Sequence, residues 1–269
     1  MKISEIKELL ATDPEQQVLE QLAQDTRAGV QRLLAVHSRA KAKAAAEKER
    51  YEAMLTYERE YYAKGVAYIA GVDEAGRGPL AGPLVVAAVI LPQGAFLPGL
   101  NDSKQLTAAK REALYEQIMA KALAIQVAVV GVATIDSLNI YQATKEAMAK
   151  VVEGLKLRPT VALIDAMPLE IEGVEIKSLI HGDALSASIA AASIIAKVTR
   201  DRIMDELDSS YPEYGFKNNK GYGSKAHMEA IKAFGPTKYH RRSYEPLKSM
   251  ALGPAPREED RLYSPLEAN

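Results

Sequence analysis

Apolar residues fall at two different spacings along this chain, and the change comes near residue 65. Before it the spacing is helical. Ile3, Ile6 and Leu10 share one face of a first predicted helix, as residues three and four apart do. Thr12 or Asp13 caps a second start, with Pro14 in its first turn and Glu15 placed for a capping box. Val18, Leu19 and Leu22 form the apolar stripe of that segment. A third helical segment runs from about Arg27 to Tyr62, where Val30, Leu33 and Leu34 lead into a stretch rich in Ala, Lys and Glu. Residues 1–64 are therefore expected to be a helical N-terminal extension, either a plain appendage or an added substrate-binding module. Lys64-Gly65 is the expected junction with a main domain over 65–250.

From Tyr68 the pattern becomes that of strands. Tyr68 to Val72 is a short apolar run read as a buried strand, and Leu84 to Leu91 is a second, expected antiparallel to it across a Gly-Pro turn. A loop with Pro92, Gly94, Pro98 and Gly99 follows, and Thr107 then opens a helix whose inward face is Leu114, Ile118 and Ala122. Ile125 to Ala133 is a third strand. Asp136 or Ser137 caps a helix that ends at Gly154, and Thr160 to Ile164 is another buried strand, ending in Asp165. Strands first, then β–α alternation, predict an α/β domain with a mixed sheet flanked by helices. The polar, Pro-containing end of the chain is expected to be a flexible tail over 251–269.

Composition narrows the chemistry. The 269 residues, 48% hydrophobic and 26% charged, have the balance of an ordinary globular protein with room for a large core. With no cysteine, disulfides, thiolate metal sites and cysteine nucleophiles are excluded. Four scattered histidines leave little for a zinc site, so a bound metal has to be held by oxygen, which favours Mg²⁺ or Mn²⁺. The start MKISEIKELL is charged and has no apolar core of an export signal. The uncharged run over 78–101 is broken by Pro79, Pro83, Pro92 and Pro98, so it makes no membrane helix. A cytoplasmic protein with no membrane association is expected.

Asp73 and Glu74 stand side by side at the end of the first strand. Neighbours on a strand point to opposite faces, so both reach one site only if the chain bends there. Gly76, Gly78 and Gly82 supply that freedom and let backbone N–H groups approach a phosphate or sugar. Arg77, between two of them, is a planar donor fork suited to phosphate. Asp165 ends a buried strand, where open α/β sheets place their ligands. Asp183, in His181-Gly182-Asp183, precedes or caps a helix of small residues from Ser186 to Lys197 that is suited to close packing on the sheet. The net charge of -1 announces no polyanionic partner. Locally, though, Lys217, Lys220, Lys225, Lys232, Lys238, Arg241 and Arg242 face the single acid Glu229 and interleave with Tyr222 and Tyr239, a pattern that favours a nucleic-acid backbone track.

Asp73-Glu74-Ala75-Gly76-Arg77-Gly78-Pro79, followed by Leu80-Ala81-Gly82-Pro83, resembles the opening signature of bacterial ribonuclease HII. Lys220-Gly221-Tyr222-Gly223-Ser224-Lys225-Ala226-His227 resembles that family's junction-recognition loop, and Asn101-Asp102-Ser103-Lys104 its phosphate-contacting loop. His240-Arg241-Arg242-Ser243-Tyr244 also matches a family segment, with no chemistry assigned. The resemblance covers roughly residues 67 to 247. It implies a ribonuclease H-like fold and four acidic metal ligands, which map onto Asp73, Glu74, Asp165 and Asp183. It also implies that Tyr222, together with Gly76-Arg77-Gly78, reads a ribose 2′-hydroxyl, and that Asn101, Ser103 and Lys104 meet phosphates, with Ser103 and Lys104 the best donors.

What the resemblance implies is a metal-dependent endoribonuclease acting on RNA/DNA hybrids and on duplex DNA containing ribonucleotides. Cleavage is expected on the 5′ side of the ribonucleotide, by two-metal-ion hydrolysis, leaving 3′-hydroxyl and 5′-phosphate ends. Four acids in one place repel one another unless cations neutralise them, and two divalent ions can bridge a phosphate and activate water. Two alternatives share the fold: a ribonuclease HIII-type enzyme, against which the helical extension argues, and an inert hybrid-binding protein. A phosphate-loop nucleotide binder is excluded because no Gly-Lys-Ser/Thr follows the glycines. Protein partners are not legible.

Overall fold

A computed structural model of the protein describes residues 1–250, so the tail expected at 251–269 lies outside the described residues. The chain divides into two compact units, Met1–Ala53 and the chain from Met54 onward.

The first unit is helical. α1 (Ile3–Ala11) and α2 (Gln16–Ala23) pack on α3 (Ala28–Ala53) around Ile6, Leu10, Leu22 and Val30. The start of α2 differs from expectation. Its N-cap is Glu15 itself, with no side-chain cap bond, and the Thr12 hydroxyl donates back to Leu9 O at 2.7 Å. Asp13 lies between at φ 49°, so the chain turns before a capping box can form.

The compact units part between Ala53 and Met54, ahead of Lys64-Gly65. The third predicted helix breaks after Ala53, and α4 (Thr56–Ala63) belongs to the second unit. Tyr61 of α4 is buried among Ile69, Val161, Leu163 and Leu179, and its hydroxyl donates to Glu175 Oε1 at 2.7 Å.

In the second unit, α4 is followed by β1 (Ile69–Ala75), β2 (Leu84–Ile90), α5 (Ala108–Lys121), β3 (Ala124–Val130), α6 (Val132–Leu138) and α7 (Ile140–Glu153). Then come β4 (Val161–Asp165), β5 (Glu175–Leu179), α8 (Gly182–Leu185), α9 (Ala187–Ser210), α10 (Phe216–Asn219) and α11 (Lys225–Phe234). The sheet order is β3-β2-β1-β4-β5. β1 pairs antiparallel with β2, and β2 with β3, while β1–β4 and β4–β5 are parallel. This is the mixed sheet expected, with β5 as an added edge strand.

Alternation along the strands builds a core on each face of the sheet. Ala70, Val72, Val86 and Ala88 face Ala143, Ala147, Met148 and Val151 of α7. Full burial of each such valine contributes about 1.5–3 kcal/mol. The other face carries α9, whose first ten residues, Ala187 to Ala196, are all buried. That helix lies so close that a Cβ on Gly71 would stand 2.0 Å from the Ser188 carbonyl carbon. Glycine and the small helical residues make the contact possible.

Two predicted boundaries shift. β3 ends at Val130, because Gly131 already caps α6, and Asp136 and Ser137 lie inside α6. The helix ending at Gly154 is capped instead by Asn139, at φ 68°, whose Oδ1 accepts from Gln142 N at 3.1 Å. Among the described residues no helix is long and apolar enough to cross a membrane.

Candidate active site

β1 and β4 run parallel with Val72 beside Ile164, so Asp73 and Asp165 emerge from adjacent strand ends. β1 does not bend at its two acids. Its pairing with β2 stays regular through Asp73↔Ala87, Glu74↔Val86 and Ala75↔Val85. The chain turns only at Gly76, at φ 97°, where a Cβ would meet Arg200 Nε at 2.1 Å. Asp73 and Glu74 therefore leave opposite faces of β1 in a notch where the β1–β4 pairing has ended. Both are electrostatically coupled to Asp165 there.

Burial, then Glu74 and Asp165, push the Asp73 carboxyl well above the usual carboxylate range, while the Ser193 hydroxyl and the Glu74 N–H, 2.7 Å from Oδ1, oppose that. Glu74 is raised by burial and by Asp165, against Arg77, whose Nη1 stands 3.4 Å from Glu74 Oε1. Glu74 Oε2 is buried and has no hydrogen-bond partner among the described residues. Asp183 sits on α8 and is raised by burial, Asp102 and Asp165. Lys104 Nζ stands 4.0 Å from Asp183 Oδ2. Burial alone would lower the Lys104 ammonium, but Asp183, Asp102, Asp73 and Asp165 together outweigh it and raise its pKa. Glu74 is in turn lowered by Lys104, so one exposed lysine feels all four predicted acids.

The turns around these acids are strained. Ala166, after Asp165, lies at φ 42°, and His181, before Asp183, at φ 58°. Such conformations cost residues with a Cβ about 1–3 kcal/mol each and persist only where the surroundings impose them.

The acids suit a hard divalent cation. All the donors are oxygen, which Mg²⁺ and Mn²⁺ prefer, and the orphaned Glu74 Oε2 lacks the partner a cation would provide. Among the described residues no three Asp, Glu or His side chains form a closed ligand cluster.

Two glycine loops adjoin the acids. Arg241 is fully buried and donates to Gly76 O at 2.6 Å, Arg77 O at 2.9 Å and Gly82 O at 2.9 Å. Arg200, also buried, donates to Pro83 O, Lys220 O and Ala81 O. Leu80 N–H donates to Gly221 O at 2.8 Å, joining the two loops. Tyr222 is 54% exposed, and the position of a Cβ on Gly78 lies 3.7 Å from its ring. Gly76-Arg77-Gly78 and Tyr222 thus share one surface beside the acids.

Other candidates are redistributed. Ser103 is buried, with Oγ 3.0 Å from Ser193 Oγ, so it faces inward rather than toward a phosphate. Asn101 turns inward on its own loop, accepting from Asp102 N and donating to Gln105 Oε1. Lys104 is the cation this loop presents. In the basic cluster Arg241 is an internal staple and Lys220 pairs with Asp205, which leaves a sparser track than the sequence counted. Arg200 drew no reading from the sequence, and Ser193 and the linked imidazoles of His227 and His240 lie in segments that were singled out but given no chemistry of their own. Ser193 lies in a small-residue stretch that reads as core, while Arg200 and His240 lie among charged residues, where only their tertiary partners mark them as buried.

Comparison with known proteins matches the family model "Ribonuclease HII" to residues 70–246 and "Ribonuclease HII N-terminal domain" to residues 2–62. A ribonuclease HII of Geobacillus kaustophilus is 56% identical over 231 residues, covering 86% of this chain and 88% of that protein. The crystal structure of ribonuclease H2 from Pyrococcus horikoshii is similar with a TM-score of 0.60 and 29% identity, over 68% of this chain and 96% of that one. A ribonuclease HII of Archaeoglobus fulgidus, solved in complex with PCNA, gives 0.58 and 30%, over 66% and 95%.

Proposed function

The chain belongs to the ribonuclease HII family and is an endoribonuclease of RNA/DNA hybrids, and we propose that it also cuts on the 5′ side of single ribonucleotides embedded in duplex DNA, leaving 3′-hydroxyl and 5′-phosphate ends. The match of both family models sets aside the ribonuclease HIII alternative. The observation that carries the proposal is the placement of Tyr222 and Gly76-Arg77-Gly78 on one surface beside the acids. The 2′-hydroxyl is the sugar feature that distinguishes one ribonucleotide from its DNA neighbours.

Asp73, Glu74, Asp165 and Asp183 would hold Mg²⁺ or Mn²⁺. When bound, two such ions supply phosphate bridging, water activation and stabilisation of the leaving oxygen. The protein's own groups do the rest. Arg241 and Arg200 draw the carbonyls of the two glycine loops inward, leaving the outer face of those loops and the Tyr222 phenol free to meet a ribose. Lys104, 80% exposed, is placed to neutralise a phosphate beside Asp183. The partner is a nucleic acid.

An inert hybrid-binding protein would keep these surfaces and lack turnover. Incubation of a labelled RNA/DNA hybrid with Mg²⁺, Mn²⁺ or chelator separates the two readings. Cleavage is expected only with metal. Hybrid binding without cleavage in either metal would favour the inert reading.

A further inference from the structure

Asp183 is carried by a four-residue helix that is fastened at both ends. At its start Gly182 N–H donates to Asp165 Oδ1 at 2.7 Å. At its end Ser186 N–H donates to Gly182 O at 2.8 Å, and the Ser186 hydroxyl donates to Glu58 Oε1 at 2.6 Å. The same Glu58 oxygen accepts from Ser188 N–H at 3.0 Å, while Ser186 Oγ accepts from Ile189 N–H at 3.2 Å. Ala187 N–H finds Met54 O at 2.9 Å. The otherwise unsatisfied N–H groups that open α9 are thus met largely by residues of the segment that precedes β1.

We infer that Glu58 is a positioning residue for Asp183, holding the far end of the turn whose near end Asp165 holds. The inference rests on the reading of Asp183 as a cation-holding acid. Three observations favour it over simple packing. Glu58 is 1% exposed, and no Lys, Arg or His pairs with it among the described residues. Burying such a group carries a desolvation cost that an apolar side chain would avoid. What the carboxylate adds is a two-point hold on Ser186 and Ser188 at the positive end of a 24-residue helix. The turn also needs holding, because it is entered through the strained His181. Finally, Glu58 lies within the stretch matched as the N-terminal domain but folds with the catalytic unit. The extension thereby contributes to the geometry of the site without presenting a ligand.

The test uses the full chain and four variants: Glu58→Ala, Glu58→Gln, Ser186→Ala and Asp183→Asn. The readouts are Mn²⁺ binding to substrate-free protein by calorimetry, amide exchange over 182–188, melting temperature, and kcat and KM on a long hybrid. Loss of a partner that orients a metal-holding side chain costs about 10–100-fold in affinity or rate. Glu58→Ala is expected to weaken Mn²⁺ binding and lower kcat by about tenfold at unchanged KM, with faster exchange at Ser186 and Ser188. Glu58→Gln keeps an acceptor oxygen and should recover most of both. If Glu58→Ala does not fold, Ser186→Ala carries the same expectation at smaller size. A folded Glu58→Ala that melts early yet binds Mn²⁺ and turns over as wild type overturns the inference, as does a Gln variant no better than Ala. Asp183→Asn separates the two layers. If it keeps Mn²⁺ affinity and turnover, the reading of the site fails; if it loses both while Glu58→Ala loses neither, only the role of Glu58 fails.

Discussion

The imidazoles of His227 and His240 meet with their Nε2 atoms 3.0 Å apart in the buried layer beneath Tyr222. The neighbours assign the protons. Thr237 N–H donates to His240 Nδ1 at 2.9 Å, so His240 carries its proton on Nε2 and donates to His227. His227 then carries its proton on Nδ1 and donates to the Tyr222 carbonyl at 2.8 Å. Both rings are neutral, and the relay ends on the residue proposed to read ribose.

This relay predicts a pH dependence. Burial first, then His227, lowers the His240 pKa to about 3, against about 6.5 in an unfolded chain. Between those values the unfolded chain takes up a proton that the folded one refuses. The stability contributed by neutral His240 is therefore complete above about pH 6.5 and is lost progressively as pH falls toward 3. His240→Gln removes the titration. Its stability deficit against wild type, measured by urea denaturation, should shrink as pH is lowered from neutral to mildly acidic. A deficit independent of pH would contradict the assignment.

Arg241 holds Gly76 O and Arg77 O through separate arms of one guanidinium. A lysine cannot reproduce that fork. Arg241→Lys should leave buried carbonyls unsatisfied and cost about 1–3 kcal/mol of stability. Cleavage at a single embedded ribonucleotide should fall more than cleavage of a long hybrid, which offers many sites. Parallel kinetics on both substrates, beside a denaturation curve, check this.

Truncation distinguishes the structural boundary from the one read in the sequence. A chain begun at Met54 keeps α4 and should fold and cut at the same position. One begun at Gly65 loses Tyr61 and Glu58 from the catalytic unit. Burial of Tyr61 alone is worth about 1.5–3 kcal/mol, so the shorter chain should melt measurably earlier. Equal melting temperatures would show that α4 adds nothing.

Much of this architecture was legible, and the remainder has physical causes. The buried strands were visible because Val, Ile, Leu and Ala runs end at Asp73 and Asp165, where apolar pattern and acid coincide. β5 was not visible, because Glu175–Leu179 is an edge strand with mixed polarity and only Leu179 fully buried. The split between α6 and α7 depends on a positive φ at Asn139, which a run of helix formers conceals. α4 read as a continuation of α3 because its stripe of tyrosines keeps helical spacing across the break at Met54-Leu55. The four acids were proposed by motif, and the bend expected between Asp73 and Glu74 is absent, the β1–β4 pairing instead ending early beside them. Arg241 read as part of a basic surface, and Arg200 and Glu58 drew no reading at all, because tertiary carbonyl and N–H partners far along the chain are invisible in a local pattern.

Tyr222 tests how RNA is told from DNA. Its exposed ring predicts a contact with substrate rather than a role in packing. Tyr222→Phe should weaken cleavage by about 1 kcal/mol, the net worth of one hydrogen bond. Tyr222→Ala should cost more, most visibly on a single embedded ribonucleotide, with little change in melting temperature. An early-melting Ala variant that loses both substrates equally would assign Tyr222 to packing.

The most direct measurement of the central claim is the position of the cut in a DNA duplex carrying one ribonucleotide, mapped with Mg²⁺ or Mn²⁺ and with chelator, for the wild type and for Asp73→Asn and Asp165→Asn. A single metal-dependent cut on the 5′ side of the ribonucleotide, leaving a 3′-hydroxyl and a 5′-phosphate, is the predicted result. Both variants should lose it nearly completely while still binding the duplex, because an amide is a poor cation ligand at a site that needs several kcal/mol of charge stabilisation. A cut on the 3′ side, cleavage that survives chelation, or near-normal turnover by either variant would contradict the account.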